Sequence, residues 1–351
     1  MGIFSFLKSS DKNKKDETLI VKEVKSLTAE AKSISFETPT DFKFDAGQFI
    51  ELAIEIDGKL ERRSYSICSG PEDPLAIGVK MVPGGKVSNW LMENAKPGIG
   101  IHVTKPSGNF TLKSSSKHIV AIAAGSGITP IMSLAKTLEK KNGNVTLIYG
   151  NKNEASIMFK EDINLLSNVK SYHFLSQEEK EGYKYGRINK ESLTALIKVN
   201  LEILKADDFY LCGPEELIVE SKETLEFFGV PANKIHFELF RPATLLKAEE
   251  NKSQISFEGE SNVQVILEGE SYPFKLNSVG KTVLEAAEEV GADVPYSCKG
   301  GVCASCKAKV IKGAAKMDVN YTLTDKEVED GYILTCQAHP NSQELIISFD
   351  A

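Results

Sequence analysis

No stretch of this 351-residue chain holds the eighteen or more consecutive apolar residues that a membrane-spanning helix needs, which excludes a span of that kind. No secretory leader is expected either: the opening Met1-Gly-Ile-Phe-Ser-Phe-Leu7 is too short for one, and Phe6 stands where a myristoylation motif needs Ser or Thr. The expected location is therefore cytoplasmic. There is no basic stripe, and the net charge is −7, which argues against nucleic acid as a partner. Cysteine is scarce at six residues, and without a leader these do not read as a disulfide framework.

Four of the six cysteines are concentrated in one pattern. Cys298-Lys-Gly-Gly-Val-Cys303-Ala-Ser-Cys306 gives the spacing C-x4-C-x2-C, and Cys336 follows at a distance. That is the plant-type [2Fe–2S] arrangement, in which a tight loop supplies three thiolates and a remote segment the fourth. Gly300, Gly301, Ala304 and Ser305 keep the loop small enough for backbone amides to approach the sulfides. A structural zinc site is the alternative reading, although zinc motifs usually pair two short C-x2-4-C knuckles.

Charge is distributed unevenly. Residues 1–245 carry 32 basic and 32 acidic side chains, whereas residues 246–351 carry 10 and 17, so the acidic excess lies with the cysteines. Such a module suits docking on a basic partner face, with Asp325, Glu327, Glu329 and Asp330 as candidate contacts; a solvated acidic surface is the alternative.

The pattern of elements divides the chain into three modules. Residues 1–17 read as a disordered polar tail. Over 18–113, short β-prone runs (18–24, 34–37, 48–56, 63–66, 75–81, 99–103) alternate with Gly- and Pro-containing turns, which predicts an antiparallel β-barrel interrupted by one helix at 87–94. Over 114–245 apolar strands (118–124, 145–149, 208–212, 235–240) alternate with helices (130–141, 155–167, 190–197, 215–228). This alternation predicts an α/β domain with a parallel sheet, because parallel strands need crossover connections. Residues 246–261 read as a polar linker. In 262–351 the order of strands 263–268 and 272–276, helix 283–290, cysteine loop, and strands 308–311 and 344–348 fits an α+β fold of the β-grasp ferredoxin type.

Two further segments carry phosphate-binding chemistry. Arg63-Ser-Tyr65-Ser66 at a strand end pairs with Gly85-Lys-Val87-Ser88 opening a helix: Arg63 offers a fork to a pyrophosphate, the helix start offers bare amides, and Tyr65 offers an edge to a planar ring. Ala124-Gly125-Ser-Gly127-Ile-Thr129-Pro130 joins a buried strand to a helix, the context that sets a pyrophosphate against a helix N-terminus. Pro130 takes the place of the last glycine of G-x-G-x-x-G, and proline is comfortable in a first helical turn. Beyond the strand 145–149, where NAD-specific folds place a ribose-binding acid, the nearest charge is Lys152. A cation there suits a 2′-phosphate and predicts NADPH, with NADH as the other possibility.

Taken in order, Arg63-Ser-Tyr-Ser66, Gly85-Lys-Val-Ser88, Gly125-Ser-Gly-Ile-Thr-Pro130, Cys212-Gly-Pro214 and the cysteine pattern resemble the ferredoxin–NADP reductase superfamily, in its branch with a C-terminal ferredoxin domain. The nearer members are the reductases of phenylacetyl-CoA epoxidases and 3-ketosteroid hydroxylases. The resemblance covers nearly the whole chain after residue 17. It implies FAD held by Arg63, Tyr65, Ser66, Gly85, Val87 and Ser88, and NAD(P)H held by Gly125, Gly127, Thr129 and the Cys212-Gly213-Pro214 loop. It also implies that Phe240 stacks on the flavin and that Glu238 lies near the reacting edge. Electrons would pass from NAD(P)H through FAD to the cluster held by Cys298, Cys303, Cys306 and Cys336. From there they would reach a terminal oxygenase or another protein acceptor, with phenylacetyl-CoA epoxidase and aromatic catabolism one such setting. A redox-sensing or binding protein on a degenerate reductase scaffold is the alternative, and Cys68 and Cys212 are expected to take no part in iron binding.

Overall fold

The computed structural model describes residues 17–240, 257–296 and 298–351. Most of the predicted tail and linker lies outside them. Glu17, assigned to the tail, opens the first strand, and the last residues of the predicted linker open a strand at Glu260.

The first unit is a six-stranded antiparallel sheet of β1 (Glu17–Thr28), β2 (Ala31–Glu37), β3 (Phe49–Ile56), β4 (Lys59–Ser66), β5 (Ala76–Lys80) and β6 (Gly100–Val103), in the order β4-β3-β6-β1-β2-β5. Alternating apolar residues of these strands, among them Leu19, Val21, Ile34, Phe36, Ile50 and Leu52, pack into one core. Helix α1 (Lys86–Asn94) adds Val87 and Leu91 to it.

The second sheet is wholly parallel. It comprises β7 (His118–Ala124), β8 (Asn144–Asn151), β9 (Val169–Leu175), β10 (Lys184–Tyr185), β11 (Asp208–Cys212) and β12 (Ile235–Glu238), ordered β10-β9-β8-β7-β11-β12. Its helices are α2 (Ile128–Lys140), α3 (Lys160–Leu165), α4 (Lys190–Val199) and α5 (Glu215–Phe227). From Ile128 to Ala135 every residue of α2 is buried, because α2 is wedged between its own sheet and the first unit. Ser133 Oγ donates to the carbonyl of Ser69 at 2.6 Å, and Ala31, Ala46 and Cys68 of the first unit join the apolar cluster around α2.

The helix expected over 155–167 is broken. Asn153 and Ser156 close a capping box on a 3-10 turn at Glu154–Ser156, and Phe159, its ring buried, takes a left-handed φ of 56°, so helix α3 must start afresh. Strands β9 and β10 have no counterpart among the expected elements; the Lys, Ser, Tyr and His of Val169–Leu175 hide the alternation.

The third unit is a mixed five-stranded sheet, ordered β14-β13-β19-β15-β17, beside a two-stranded β16-β18 ribbon. Its strands are β13 (Glu260–Leu267), β14 (Glu270–Asn277), β15 (Lys307–Lys312), β16 (Ala315–Met317), β17 (Tyr332–Leu334), β18 (Ala338–Pro340) and β19 (Glu344–Ser348). Helices α6 (Val283–Glu289) and α7 (Asp325–Glu329) start at capping boxes on Thr282 and Thr324. Val263, Val265, Leu284, Ala287, Leu345 and Ile347 form a core of its own.

Glu327, offered above as a docking contact, is already engaged. Its carboxylate accepts from Thr324 N and Oγ1, both at 2.9 Å, from Lys307 Nζ at 3.1 Å, and from Asn109 Nδ2 of the first unit at 3.1 Å. Asn109 Nδ2 also donates to the carbonyl of Thr322 at 2.7 Å, so this corner of the acidic patch faces inward. Asp325, Glu329 and Asp330 are exposed.

Candidate functional site

A cavity of about 590 Å³ opens where the three units meet. Strand β4 sends Arg63, Tyr65 and Ser66 to its wall, the start of α1 adds Gly85, Val87 and Ser88, and the start of α2 adds Ser126 and Thr129. Glu238 and Phe240 come from the end of the second unit, and Cys298, Val302 and Cys303 from the cysteine loop. Most of the residues expected to serve a flavin and its electron acceptor are thus brought to one place.

At the rim, Glu61 holds Lys86 Nζ at 2.5 Å and lies 3.7 Å from an Arg63 nitrogen. The Lys86 hydrogen bond is the main reason that the Glu61 carboxyl is held below the usual range. The first turn of α1 contains no acid, so its free amides and the two cations give this wall an anion-binding character. Gly85 is the N-cap of α1, and a Cβ there would stand 2.7 Å from Ser88 Oγ. Tyr65 is largely desolvated, which pushes its phenol well above the usual range and keeps it neutral.

Glu238 meets Ser66, whose Oγ donates to Oε2 at 3.2 Å. Loss of water around the carboxyl raises its pKa to about 8, against the smaller opposing effect of the Ser66 hydrogen bond. Glu238 retains some exposed surface, but it faces this cavity and a smaller one of about 190 Å³ lined also by Asn109, His236 and Tyr321. Phe240, at 43% exposure, lines the main cavity. Between the carboxyl's unfolded pKa near 4.5 and its folded value near 8 the native state binds the extra proton, so stability falls as pH rises through that window. Glu238→Gln should therefore raise the thermal midpoint of the flavin-free protein relative to wild type at pH 8.5, with the gap closing towards pH 4.5. Equal midpoints at both pH values would show that the carboxyl is well solvated.

The glycine turn forms a 3-10 segment, Gly125–Gly127, leading straight into α2, with Pro130 in the helix's first turn. Gly125 has a left-handed φ of 54°, and its carbonyl accepts from the Tyr149 hydroxyl at 2.8 Å. Any Cβ on Gly127 would lie 2.0 Å from the carbonyl oxygen of Cys212, so the loops after β7 and β11 touch through backbone alone. Thr129 Oγ1 donates to the Ser126 carbonyl at 2.9 Å. Gly213 lies beside Ala124, and Pro214 is the exposed N-cap of α5. The Cys212 side chain is fully buried and does not line the cavity; only its backbone reaches the crossing, and burial lifts its thiol well above the usual range.

Lys152 is exposed beyond β8. Near it, the Glu154 carboxylate is gripped by Lys160 Nζ at 2.5 Å, by Lys180 Nζ and by the Tyr183 hydroxyl at 2.7 Å; these bonds, that of Lys160 first, lower its pKa to about 2. Lys80, which sequence reasoning passed over, lines the cavity and reaches within 3.7 Å of where a Gly125 Cβ would stand. Its only signal was its place at the end of a strand facing the glycine turn.

In the cysteine loop Lys299, Gly301 and Ala304 all have left-handed φ, which curls the backbone around the thiols. The amide of Gly300 donates to Cys298 Sγ at 3.3 Å. Cys298 is a side-chain partner of both Cys303 and Cys336, and Cys306 is a partner of Cys336. Two sulfur pairs joined through one contact suit a two-iron cluster. Gly301 sits at a left-handed φ of 73°, and a Cβ there would press on Val319 at 3.1 Å. Cys68 lies in the core between the first two units, remote from the loop; burial is the main influence raising its thiol, to about 11.

Comparison with known proteins gives the same division. Residues 18–112 match the oxidoreductase FAD-binding domain, 121–223 the oxidoreductase NAD-binding domain, and 265–341 the 2Fe-2S iron-sulfur cluster binding domain. A subunit of the 1,2-phenylacetyl-CoA epoxidase of Escherichia coli is 34% identical over 95% of this chain and 98% of its own. The chain belongs to the ferredoxin–NADP reductase superfamily, in the branch with a C-terminal [2Fe–2S] domain. The ferredoxin reductase component of the 3-ketosteroid-9-alpha-monooxygenase of Mycobacterium tuberculosis is 31% identical over 95% of both chains. An intact type IV self-sufficient cytochrome P450 monooxygenase shares the fold, with a TM-score of 0.68 and 24% identity over 95% of this chain and 41% of that longer one. The protein is thus an oxidoreductase module that uses NAD(P)H, FAD and a [2Fe–2S] cluster and is similar to the reductase components of oxygenase systems. Among the described residues no helix is long and apolar enough to cross a membrane.

Proposed function

We propose that this chain takes hydride from NADPH, in preference to NADH, and delivers electrons singly to a cytoplasmic terminal oxygenase, with a phenylacetyl-CoA epoxidase as the favoured acceptor. The observation that carries this reading is the common cavity: flavin-type residues, the glycine turn, Glu238, Phe240 and the cysteine loop all border it. The domains are taken as 18–113 for flavin, 114–245 for nucleotide and 262–351 for the cluster. Closure of the first sheet into a barrel is supported by the bridge from Ile67, just past edge strand β4, to Ile77 on the opposite edge strand β5. A β-grasp form for the third unit is supported by its mixed sheet and α6.

A bound flavin accepts the electron pair of a hydride and passes on single electrons, which are all that a [2Fe–2S] cluster can take. The chain's part is to bind and orient. Arg63 and the amides of Val87 and Ser88 hold the flavin pyrophosphate, with Gly85, whose own amide donates to the Val82 carbonyl at 2.8 Å, leaving space beside them; Tyr65 and Ser66 line the ring, and Phe240 covers it. Gly125, Gly127, Thr129 and the backbone of Cys212-Gly213-Pro214 admit the nucleotide, with Lys152 facing the 2′-phosphate. Glu238, hydrogen-bonded to Ser66, holds a proton beside the reacting edge. Cys298, Cys303, Cys306 and Cys336 hold the cluster.

Arg63→Ala should lose a charge-assisted phosphate contact of roughly 1.5–3 kcal/mol, or about ten- to a hundredfold in flavin affinity. Flavin content after dialysis measures it, and a full complement of FAD in the variant would remove Arg63 from the site. The nucleotide preference is tested by comparing kcat/KM for NADPH and NADH. Glu154 is the acid that would repel a 2′-phosphate, and its engagement by Lys160 and Lys180 supports NADPH. A tenfold preference for NADH would overturn that part of the reading.

A further inference from the structure

Asn109 joins the first unit to the third, and it does so from a rigid stretch of chain. Two residues before it, Ser107 exchanges backbone hydrogen bonds of 2.9 Å with Phe49 at the start of β3; immediately after it, Phe110 is buried edge-on against Tyr210, with 5.2 Å between the ring centres. From that platform Asn109 Nδ2 donates to the Thr322 carbonyl at 2.7 Å and to the Glu327 carboxylate at 3.1 Å. Thr322 belongs to a turn over residues 320–323 that is tied down on several sides. Asn320 Oδ1 accepts from the amides of Thr322 at 3.2 Å and Leu323 at 2.8 Å, and Leu323 is rooted in the core of the third unit. Tyr321 packs against the apolar cluster of the second unit, which Val302 of the cysteine loop also joins, and its amide donates to the Gly301 carbonyl at 3.1 Å. One turn therefore carries the connection from Asn109 to the loop whose Cys298 and Cys303 border the main cavity. Glu327 has Thr324 and Lys307 as partners besides Asn109, so the third unit's own fold does not depend on this amide.

We propose that Asn109 is a positioning residue for electron transfer from flavin to cluster, seating the 320–323 turn, and through it the cysteine loop, against the flavin unit. This rests on the reading above that the flavin occupies the main cavity. The step served moves one electron and makes or breaks no bond, so what the protein controls is the separation and orientation of donor and acceptor. Two hydrogen bonds, one of them to a carboxylate, favour the seated arrangement by about tenfold or more and leave it reversible.

The test mixes FAD- and cluster-loaded wild type, Asn109→Ala, Asn109→Asp and Asn109→Asp/Glu327→Gln anaerobically with NADPH in a stopped-flow instrument that follows the flavin and cluster bands separately. Small-angle X-ray scattering of each protein supplies a readout independent of turnover. Aspartate keeps the shape of asparagine but turns an acceptor towards the Thr322 carbonyl and the Glu327 carboxylate. Cluster bleaching should slow about tenfold in Asn109→Ala and further in Asn109→Asp, at an unchanged rate of flavin bleaching, and the maximum dimension of the protein should grow in the same order. Adding Glu327→Gln removes the repulsion and should return Asn109→Asp to the level of Asn109→Ala. Reduction by dithionite should give the same cluster resonance signal in all of them. The assignment is overturned if Asn109→Asp reduces its cluster at the wild-type rate with unchanged scattering, or if flavin bleaching slows in step with cluster bleaching. Loss of the dithionite-reduced signal in a variant would overturn it too, by making Asn109 a residue of the fold. If NADPH leaves the wild-type cluster oxidised, the reading of the cavity fails first, and this inference with it.

Discussion

Cys298→Ala should abolish the [2Fe–2S] electron paramagnetic resonance signal and reduce electron delivery to a protein acceptor to background, while NADPH still bleaches the flavin. The two halves of that result come from different parts of the structure. Cys298 is the thiol that contacts both Cys303 and Cys336, so its removal breaks the link between the two sulfur pairs. The third unit nevertheless has its own core of Val263, Leu284, Leu345 and their neighbours, and the glycine turn and β4 belong to other units. Cys303→Ala should behave alike. Cys306 and Cys336 are built into that core, so their alanine variants should also lower the stability of the third unit. A normal cluster signal in any of the four variants would mean that the ligand set is misassigned.

Gly127→Ala should cripple nucleotide use while sparing both resident cofactors. Its Cβ would be placed 2.0 Å from the Cys212 carbonyl oxygen, a backbone atom that cannot rotate away. The loops after β7 and β11 must then part, and overpacking of this kind costs roughly 1–3 kcal/mol, or about five- to a hundredfold in a binding constant. The expected result is a rise of that size in the Kd for NADP+, with FAD content and cluster absorbance near wild type. Unchanged nucleotide binding would show that the crossing of the two loops does not shape the site.

Much of this arrangement was legible in the sequence because its signals are local. The cysteine spacing, the glycine turn between strand and helix, and the Arg63-Ser-Tyr-Ser66 strand end each encode their chemistry within a few residues, and the strands at 118–124, 208–212 and 344–348 are found where expected. What escaped depends on long-range contacts. Strand β9 owes its place to neighbours β8 and β10 rather than to its own mixed composition. Glu327 looked like a docking acid because nothing in the chain announces that Asn109, more than two hundred residues earlier, will donate to it.

The central claim is that hydride from NADPH reaches the cluster as single electrons through the flavin. It is tested most directly by anaerobic titration of the FAD- and cluster-loaded protein with NADPH, followed by visible absorbance and low-temperature electron paramagnetic resonance. The account predicts bleaching of both flavin and cluster bands, together with the signal of a one-electron-reduced [2Fe–2S] centre. Flavin bleaching with the cluster left oxidised, or a spectrum that NADPH does not change, would contradict it.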